Sequence, residues 1–584
     1  MKIGIEIHQR LATKKLFCNC PSLFEEGEKK PDAKVVRNLH VVYSEMGEID
    51  KAAMMETMGR KDFEYHYFTD SSCLVEMDEE PPHSINQDAL DVAIEMAIRM
   101  KMEIFDEVHV MRKIVLDGSN TAGFQRTALV GVGGEIETSK GKVGIETLCL
   151  EEESAGIVGE NVFRLDRLGI PLIEIATAPD IKDPEHAKEV AEKIGLMLRA
   201  TGKMMRGIGS IRQDLNVSIE GGARVEIKGA QELNMLPVWI KNEVERQRKV
   251  IEIIKKLKER DAFAKLRFEP REITGILKVK TGFVKNAIER GEKVFGLRLA
   301  MHKGILGIEL GENRRYGSEL SDHAKKAGVK GIIHSDEELG KYGIENGKEI
   351  ADALGCGGED GFVIVVADEE RARNALGFVF ERARMERVPE ETRKALPNGT
   401  TAYMRPLPGK ARLYPETDIP FIRIGKERVE EVKKKMGKGL EERRAWLEKM
   451  LSKDLAEKMI RSRYYEMFER VVEKGVDGKV AASVIEDKWK ALRREGLEID
   501  EEMVERVLMM YGEGRVAKNG IEQALRMMAK GAGEKEVEKE IGRISGKELE
   551  RIVEEEGRDL KRIMQKYGAR VEAEEVMKAI KGKG

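Results

Sequence analysis

The first 255 residues alternate apolar and polar positions in short runs that are separated by turn residues. Side chains two apart on a strand share a face, so this alternation predicts β-strands. The predicted strands are KIGIEIH, KVVRNLHVVYSE (34–45), RKIVLDGSN, KVGIETLCLEEE, GIPLIEIAT and DLNVSIEGGARVEIK. Helical spacing interrupts them over 84–101, 183–201 and about 232–260, and the Asp183-Pro184 pair is a good helix start. The pattern predicts an α+β domain.

The pattern changes after residue 275. Residues 276–393 mix strand-like FVIVVADEE with helical runs, which predicts a self-contained α/β unit inserted into the first domain. Residues 394–425 return to proline-rich strand and loop sequence, so the first domain would consist of 1–275 and 394–425. From 426 onward the pattern is almost wholly helical, with a break near residue 511, which predicts helical modules over 426–510 and 511–584. The fold class is therefore multidomain α+β.

Composition narrows the class of protein. The chain has 584 residues, of which 41% are apolar, enough for several domain cores. Charged residues make up 36%, above the usual ~25%, which is typical of thermophiles. A net charge of −3 gives no global basic field. The start goes straight into a strand pattern, no apolar run reaches membrane-spanning length, and five cysteines make no disulfide framework, so we expect a cytoplasmic protein.

The first predicted strand raises a question of chemistry. Glu6 and His8 share one face, while Ile3, Ile5 and Ile7 share the other. The polar pair is either the solvated side of a half-buried strand or two ligands of a metal ion. Two residues are too few to decide between these interpretations.

Further acids follow apolar runs. Glu151, Glu152 and Glu153 come directly after the run 145–150, and three such acids are commonly just a solvated strand end. Glu174 interrupts a Leu/Ile run, where a carboxylate needs either an ion pair or a metal. Oxygen ligands with one imidazole suit Mg²⁺, which commonly links protein carboxylates to phosphates.

Phosphate binding has no standard signature in this chain. No GxxxxGK[ST] loop is present. The glycine-containing loop 117–127, DGSNTAGFQRT, could hold an anion through its backbone N–H groups and Arg126, or it could be a plain surface loop. Arg224, Glu226 and Lys228 share one strand face and predict a densely ionic surface.

The cysteines suggest neither a metal site nor a nucleophile. Cys18 and Cys20 form a CxC pair, but a zinc site needs a further pair, and only Cys73 and Cys149 follow in this domain. We therefore expect no zinc. Cys73 and Cys149 have the setting of packed thiols, so this chain is not expected to generate ammonia itself, should its chemistry consume it.

Several long motifs, in order, resemble the GatB/GatE family of tRNA-dependent amidotransferases. They are KIGIEIHQRLATKKLFCNCPS, RKIVLDGSNTAGFQRT, LEEESAG, RLGIPLIEIATAPDI, GSIRQDLNVSI and, at 414–421, YPETDIPF. The resemblance implies a β-rich, cradle-type catalytic domain. Residues 276–393 resemble the insertion domain of bacterial-type aspartyl-tRNA synthetases, which is found in the archaeal E-type members and not in the B type. The helical regions look like the family's helical and YqeY-like tail domains, which engage tRNA.

The resemblance also implies an activity. The family makes Gln-tRNA(Gln) from Glu-tRNA(Gln): ATP phosphorylates the glutamyl side chain, and ammonia then attacks the acyl phosphate. The ammonia would come through a tunnel from an asparaginase-like amidase partner, GatD, in a heterodimer or a dimer of heterodimers. The second CxxC that completes a zinc site in many B-type members is absent here.

Residue roles follow from the matched motifs. Glu6 and His8 fall on the family's ExH motif, and Glu152 and Glu174 fall on its further Mg²⁺ ligands, with Glu151 as a register alternative for Glu152. Asp214 could orient a nucleophile or hold a second cation. Candidates for binding the phosphates of ATP are Ser119, Asn120, Arg126, Arg212 and Lys228.

Two other functions remain open at this point. One is a B-type protein that acts on both Glu-tRNA(Gln) and Asp-tRNA(Asn), against which the inserted unit argues. The other is a non-catalytic tRNA-binding scaffold, against which the presence of Glu6, His8 and Glu174 argues.

Overall fold

A computed structural model of the chain describes residues 1–23, 27, 29–40, 47, 62–207, 209–409 and 412–582. The chain forms two compact units, residues 1–436 and 437–584. The first is a mixed α+β unit and the second is helical, which confirms the predicted α+β class. Among the described residues, no helix combines the length and the apolar character needed to cross a membrane.

The first unit contains the described strands of the chain. In chain order they are β1 Lys2–Arg10, β2 Ala33–Asn38, β3 Asp62–Tyr67, β4 Glu103–Ile104, β5 Glu107–Val108, β6 Val110–Ile114, β7 Phe124–Thr138, β8 Gly141–Glu152, β9 Gly156–Gly159, β10 Val162–Arg164, β11 Pro171–Thr177, β12 Ile211–Ser218, β13 Val225–Lys228, β14 Arg271–Glu272, β15 Lys293–Leu299, β16 Glu309–Gly311, β17 Arg314–Arg315, β18 Ile333–His334, β19 Gly361–Ala367, β20 Glu391–Ala395, β21 Thr401–Pro406, β22 Leu413–Pro415 and β23 Ile422–Arg423. Of the strand predicted over 34–45, residues 41–45 lie outside the described part.

One large sheet organises the unit. Its strand order is β21-β20-β13-β12-β1-β11-β8-β7-β6-β22, with β4 paired to β7. β1 lies in the middle, antiparallel to β11 on one side and to β12 on the other. Ile3, Ile5 and Ile7 are buried in the main core on one face, so Glu6 and His8 face the other way. The alternation along β1 thus separates a packed apolar face from a polar one.

Helices cover the apolar face of this sheet. Gln87–Arg99 and Pro184–Arg199 contribute to the main core, as does the first half of Leu236–Glu259. Asn86 caps the first helix by accepting a hydrogen bond from Ala89 N, and Asp183 caps the second by accepting one from His186 N. Because the helices occupy this face, the opposite face of the sheet is free to form a site.

The inserted unit has a sheet of its own. Its strand order is β14-β15-β19-β18, and it begins at Arg271, a few residues before the predicted start at 276. The chain then returns to the large sheet, where β20 pairs in parallel with β13. The other described helices of this region are Ala262–Lys265, Phe283–Glu289, Tyr316–Ala324, Gly347–Ala353 and Glu369–Ala383.

A buried ionic network joins the inserted unit to the large sheet. Arg393 of β20 donates through Nη2 to Glu319 Oε1 at 2.9 Å, and Arg246 Nη1 donates to the same oxygen at 3.1 Å. Glu243, Glu391 and Arg382 complete the group, and all six side chains are buried. Burial opposes the charge of Glu319, but Arg393 and Arg246 hold its pKa well below the ordinary value.

The second unit begins later than expected. The helix Lys426–Lys435 belongs to the first unit, because Val432 is buried in the main core and Arg428 pairs with Asp91 at 2.7 Å. Helix Glu501–Gly512 also runs across the predicted break at 510/511. The remaining helices are Leu440–Glu448, Lys453–Arg461, Tyr465–Glu473, Gly478–Ser483, Trp489–Arg494, Ile521–Met528, Glu534–Ile541, Gly546–Glu555, Leu560–Tyr567 and Ala573–Lys581.

Candidate active site

A cavity of about 1830 Å³ lies over the polar face of the large sheet. Side chains from β1, β6, β8, β11, β12 and β13 form its floor. Its other lining residues include residues of the inserted unit, the loop residue Ser119, residues within 404–408 and Arg412. Small-molecule pockets are commonly about 300–1,000 Å³, so this cavity has room for more than one ligand.

Strand register assembles the first group of ligand-type side chains on the floor. His8 of β1 lies directly opposite Glu174 of β11, and His8 Nε2 is 3.0 Å from Glu174 Oε2. Glu151 of β8 lies opposite Leu172, two residues from Glu174, so its side chain reaches the same place. His8, Glu151 and Glu174 each offer one ligand atom within 4.8 Å of the others. These three residues could hold a metal ion.

A second group lies on the other side of β1. Glu6 is opposite Asp214 of β12, and Glu226 of β13 completes a set of three oxygen ligands within 4.8 Å of one another. Asn216 Nδ2 donates to Glu6 Oε1 at 2.9 Å, and Lys228 Nζ contacts Asp214 at 3.2 Å and Glu226 at 3.1 Å. The floor therefore carries two adjacent sets of candidate cation ligands.

A lysine contacts each group. Lys113 of β6 donates to Glu151 Oε1 at 2.8 Å and lies 3.5 Å from Glu174 Oε2. Burial disfavours the charge of Lys113, but Glu151 and Glu174 outweigh burial and raise its pKa. Asp214 and Glu226 raise the pKa of Lys228 in the same way. Both lysines are thus held as cations.

The carboxylates nevertheless outnumber the lysines within these two groups. Burial, together with the charges of Glu174 and Glu226, raises the pKa of Glu6 to about 7. Burial is the largest cause of this raised pKa, and the five carboxylates of the two groups against two lysines leave an excess of negative charge. Divalent cations would relieve this repulsion.

Glu152 does not join the cluster, although the family motif suggested it as a ligand. Successive residues of β8 point to opposite faces, so Glu151 faces the cavity and Glu152 faces the interior. There, Glu152 Oε2 accepts a hydrogen bond from Arg126 N at 3.1 Å. The structure selects Glu151, the register alternative, for the group with His8 and Glu174.

Of the five candidate phosphate-binding residues, some face the cavity and others face the protein interior. Ser119, Arg212 and Lys228 line the cavity. Arg126 is buried and its Nε donates to Glu416 at 2.8 Å, and Asn120 is buried in its own loop, where its Oδ1 accepts from Ala122 N. Arg126 and Asn120 therefore stabilise the loop and the sheet edge and do not reach the cavity.

Sequence reasoning overlooked two residues of the floor. Lys113 lies within the motif RKIVLDGSN, where a single lysine gives no signal without the register that relates β6 through β7 to β8 and β11. Glu226 was noticed only as part of an ionic strand face. Its alternation with buried Val225 and Ile227 placed it on the correct face, but its pairing with β12 is a long-range property of the fold.

Cys18, Cys20, Cys73 and Glu76 form a separate cluster, with ligand atoms within 4.8 Å of one another. Cys18 Sγ donates to Glu76 Oε1 at 2.9 Å, and hydrogen bonds from Cys18 and Cys73 lower the pKa of Cys20 to about 4. Thiolates with one carboxylate fit tetrahedral zinc. The expectation of no zinc rested on the lack of a second cysteine or histidine pair, but the fold brings Cys73 and Glu76 beside Cys18 and Cys20, where they could complete a four-ligand site.

We therefore expect the purified chain to hold one zinc ion. Replacing Cys73 by serine removes a thiolate ligand, so zinc content measured by mass spectrometry should fall to near zero, and the melting temperature should drop because a structural zinc adds to folding stability. Cys356, which lies in the inserted unit outside this cluster, gives the matched control: Cys356→Ser should keep its zinc. Equal zinc content in the two variants would contradict the assignment.

Comparison with known proteins agrees with the geometry. The GatB/GatE catalytic domain matches residues 1–430. The E subunit of glutamyl-tRNA(Gln) amidotransferase from Methanocaldococcus jannaschii is 46% identical over 90% of this chain and 86% of its own length. The protein of the same name from Thermococcus gammatolerans is 45% identical over 95% of this chain and 90% of its own length. The chain belongs to the GatB/GatE family.

Proposed function

We propose that this chain converts Glu-tRNA(Gln) into Gln-tRNA(Gln) in an ATP-dependent reaction. The observation that carries the proposal is the pair of carboxylate groups on one sheet face, His8–Glu151–Glu174 and Glu6–Asp214–Glu226, under a cavity large enough for two substrates. The names of the relatives at about 45% identity support the substrate.

The chemistry needs an activated carboxylate. The glutamyl side chain is a poor acylating group at neutral pH, so an oxygen of it would attack the γ-phosphorus of ATP, with ADP as the leaving group. Phosphoryl transfer is mainly a matter of positioning and of charge neutralisation. Mg²⁺ bound by the two carboxylate groups would neutralise the phosphates and orient them.

The cations of the floor would complete this neutralisation. Lys113 and Lys228 lie among the carboxylates, where bound cations would release them toward phosphate oxygens. Arg212 Nη2 donates to Glu153 Oε1 at 2.6 Å, which fixes the guanidinium at the edge of the cavity. Oriented cations of this kind stabilise a developing charge without reorganisation.

Ammonia would then attack the acyl phosphate, with inorganic phosphate as the leaving group. Burial and the neighbouring Glu174 raise the pKa of Cys149 well above its ordinary value, so this thiol is not poised as a nucleophile for releasing ammonia. The ammonia would come from a partner, the asparaginase-like amidase GatD. The helical unit 437–584 would engage the tRNA through backbone charge and shape.

The test uses Glu-tRNA(Gln) that carries labelled glutamate. The purified chain, ATP, Mg²⁺ and a high ammonium concentration are combined without a partner, and the esterified amino acid is then analysed. We expect labelled glutamine that requires ATP. Labelled glutamate alone, even after addition of the amidase with asparagine or glutamine as donor, would contradict the proposal and favour a tRNA-binding scaffold.

The choice between Glu151 and Glu152 can be tested directly. Glu151→Gln removes a charge from the cavity floor, so we expect transamidation to fall about a hundredfold or more while the melting temperature changes little. Glu152→Gln instead weakens a buried ion pair with Arg126, so it should lower stability and leave the Mg²⁺ dependence of the rate unchanged. A large loss of transamidation in Glu152→Gln, with only a loss of stability in Glu151→Gln, would show that Glu152 is the ligand.

A further inference from the structure

The cavity has a second set of lining residues that the proposed chemistry does not use. Phe268, just before the inserted unit, and Phe380 of that unit line it, with their ring centroids 5.5 Å apart and their planes tilted by 52°. Phe268 is 43% exposed. A large aromatic side chain left this open inside a polar cavity is characteristic of a ligand-contacting position.

Basic side chains accompany this aromatic pair. Exposed lysines and arginines of the inserted unit line the same cavity: Lys325, Lys326, Arg371 and Arg373. Glu370 and Glu381 line it too, so basic residues outnumber acidic ones among these lining residues. Arg373 pairs with Glu369, Arg371 with Asp368 and Lys325 with Asp322. The three basic side chains are each about half exposed, and ion pairs at the surface contribute little and can exchange partners. Aromatic rings among exposed cations are the chemistry that binds single-stranded nucleic acid.

ATP is the less suitable occupant of these residues. Its triphosphate would be held on the sheet floor, where the two carboxylate groups, Lys113 and Lys228 lie. Four further cations on the inserted unit exceed what the base and ribose of one nucleotide require. Four cations suit the phosphates of a nucleic acid strand, and the cavity volume of about 1830 Å³ leaves room for such a strand beside ATP.

We propose that Phe268 and Phe380 stack a nucleobase of the unpaired 3′ end of the tRNA, while the lysines and arginines of the inserted unit contact its phosphates. The inference rests on the proposed function, because a glutamyl group esterified to the 3′ end must pass through this cavity to reach Glu174. The inserted unit is thus a part of the substrate site and positions the strand that carries the reacting group.

The test uses an RNA minihelix that reproduces the tRNA acceptor stem with its unpaired 3′ tail, and a second one without the tail. Each is titrated against the full chain, and 2-aminopurine at the 3′ end reports stacking by quenching. Phe268→Leu removes the ring, and we expect about tenfold weaker binding of the tailed minihelix with loss of quenching. Phe268→Trp should keep both signals.

A matched control lies in the inserted unit. Phe283 is 47% exposed and is not among the cavity-lining residues, so Phe283→Leu should bind both minihelices as the unsubstituted chain does. ATP affinity should be the same in all variants.

Three results would overturn the inference: no tail-dependent binding by the unsubstituted chain, equal binding by Phe268→Leu, or a loss confined to ATP. If the RNA contact is contradicted but the unsubstituted chain still forms glutamine, the proposed function would be unaffected. If no glutamine is formed but binding of the tail still depends on Phe268, the RNA contact would be supported and the proposed chemistry would be contradicted.

Discussion

Glu174→Gln is expected to reduce ATP-dependent glutamine formation by about a thousandfold, with the fold retained. Glu174 contacts both His8 and Lys113, so loss of its charge removes a cation ligand and also disturbs the position of the other two side chains. The measurement is the single-turnover rate of glutamine formation on Glu-tRNA(Gln) at saturating Mg²⁺, with circular dichroism to verify folding.

The control for this variant lies on a neighbouring strand. Glu146 of β8 is an exposed glutamate that does not line the cavity, so Glu146→Gln should retain the full rate. A Glu174→Gln rate within a few fold of the unsubstituted chain would show that Glu174 is only a partner in an ion pair and that the reaction takes place elsewhere.

Glu319→Gln is expected to destabilise the first unit by about 3–5 kcal/mol. The carboxylate of Glu319 accepts hydrogen bonds from both Arg246 and Arg393, and all three side chains are buried. The neutral amide leaves an excess of buried positive charge that water cannot reach. Chemical denaturation, followed by a probe in residues 1–436, measures the loss.

The matched control is a glutamate on the surface of the same inserted unit. Glu349 pairs with Lys278, and both side chains are at least half exposed, so Glu349→Gln should change the unfolding free energy by less than about 1 kcal/mol. Similar losses in the two variants would mean that the network contributes no more than an ordinary surface pair. The junction between the inserted unit and the sheet would then depend on apolar contacts alone.

Alternation along the chain was sufficient to predict which face of β1 is packed and which is polar. Ile3, Ile5 and Ile7 are buried, and Glu6 and His8 line the cavity. Alternation fixes the face of a residue only within its own strand. It could not identify the strands beside β1, so the grouping of Glu6 with Asp214 and of His8 with Glu174 had to come from the register between distant segments.

Two expectations from the sequence differ from the side-chain groups that the structure brings together. Glu152 was taken from a motif of three consecutive acids, where a shift of one residue moves a side chain to the opposite face of the sheet. The zinc-type cluster was not expected, because a second pair of cysteines or histidines was taken as necessary for a zinc site. Cys73 and Glu76 have the spacing of the absent cysteine pair, and a carboxylate is an adequate zinc ligand.

A sharp change in the sequence pattern marks some transitions of the fold and not others. The return to the large sheet at β20 follows from a visible change to strand-like, proline-rich sequence. The helix Lys426–Lys435 gave no such signal, because its membership in the first unit depends on Val432 and on the Arg428–Asp91 ion pair. Local pattern cannot report packing between segments that lie more than 300 residues apart.

The central claim is that the glutamyl side chain is phosphorylated on the floor of the cavity, and an oxygen-isotope experiment tests it most directly. Glu-tRNA(Gln) is prepared with ¹⁸O in both oxygens of the side-chain carboxylate and converted by the chain with ATP, Mg²⁺ and ammonium. The account predicts one ¹⁸O atom in inorganic phosphate for each glutamine formed, because the acyl–oxygen bond breaks when ammonia displaces phosphate. Glutamine formation with ¹⁸O in AMP, or with unlabelled phosphate, would contradict it.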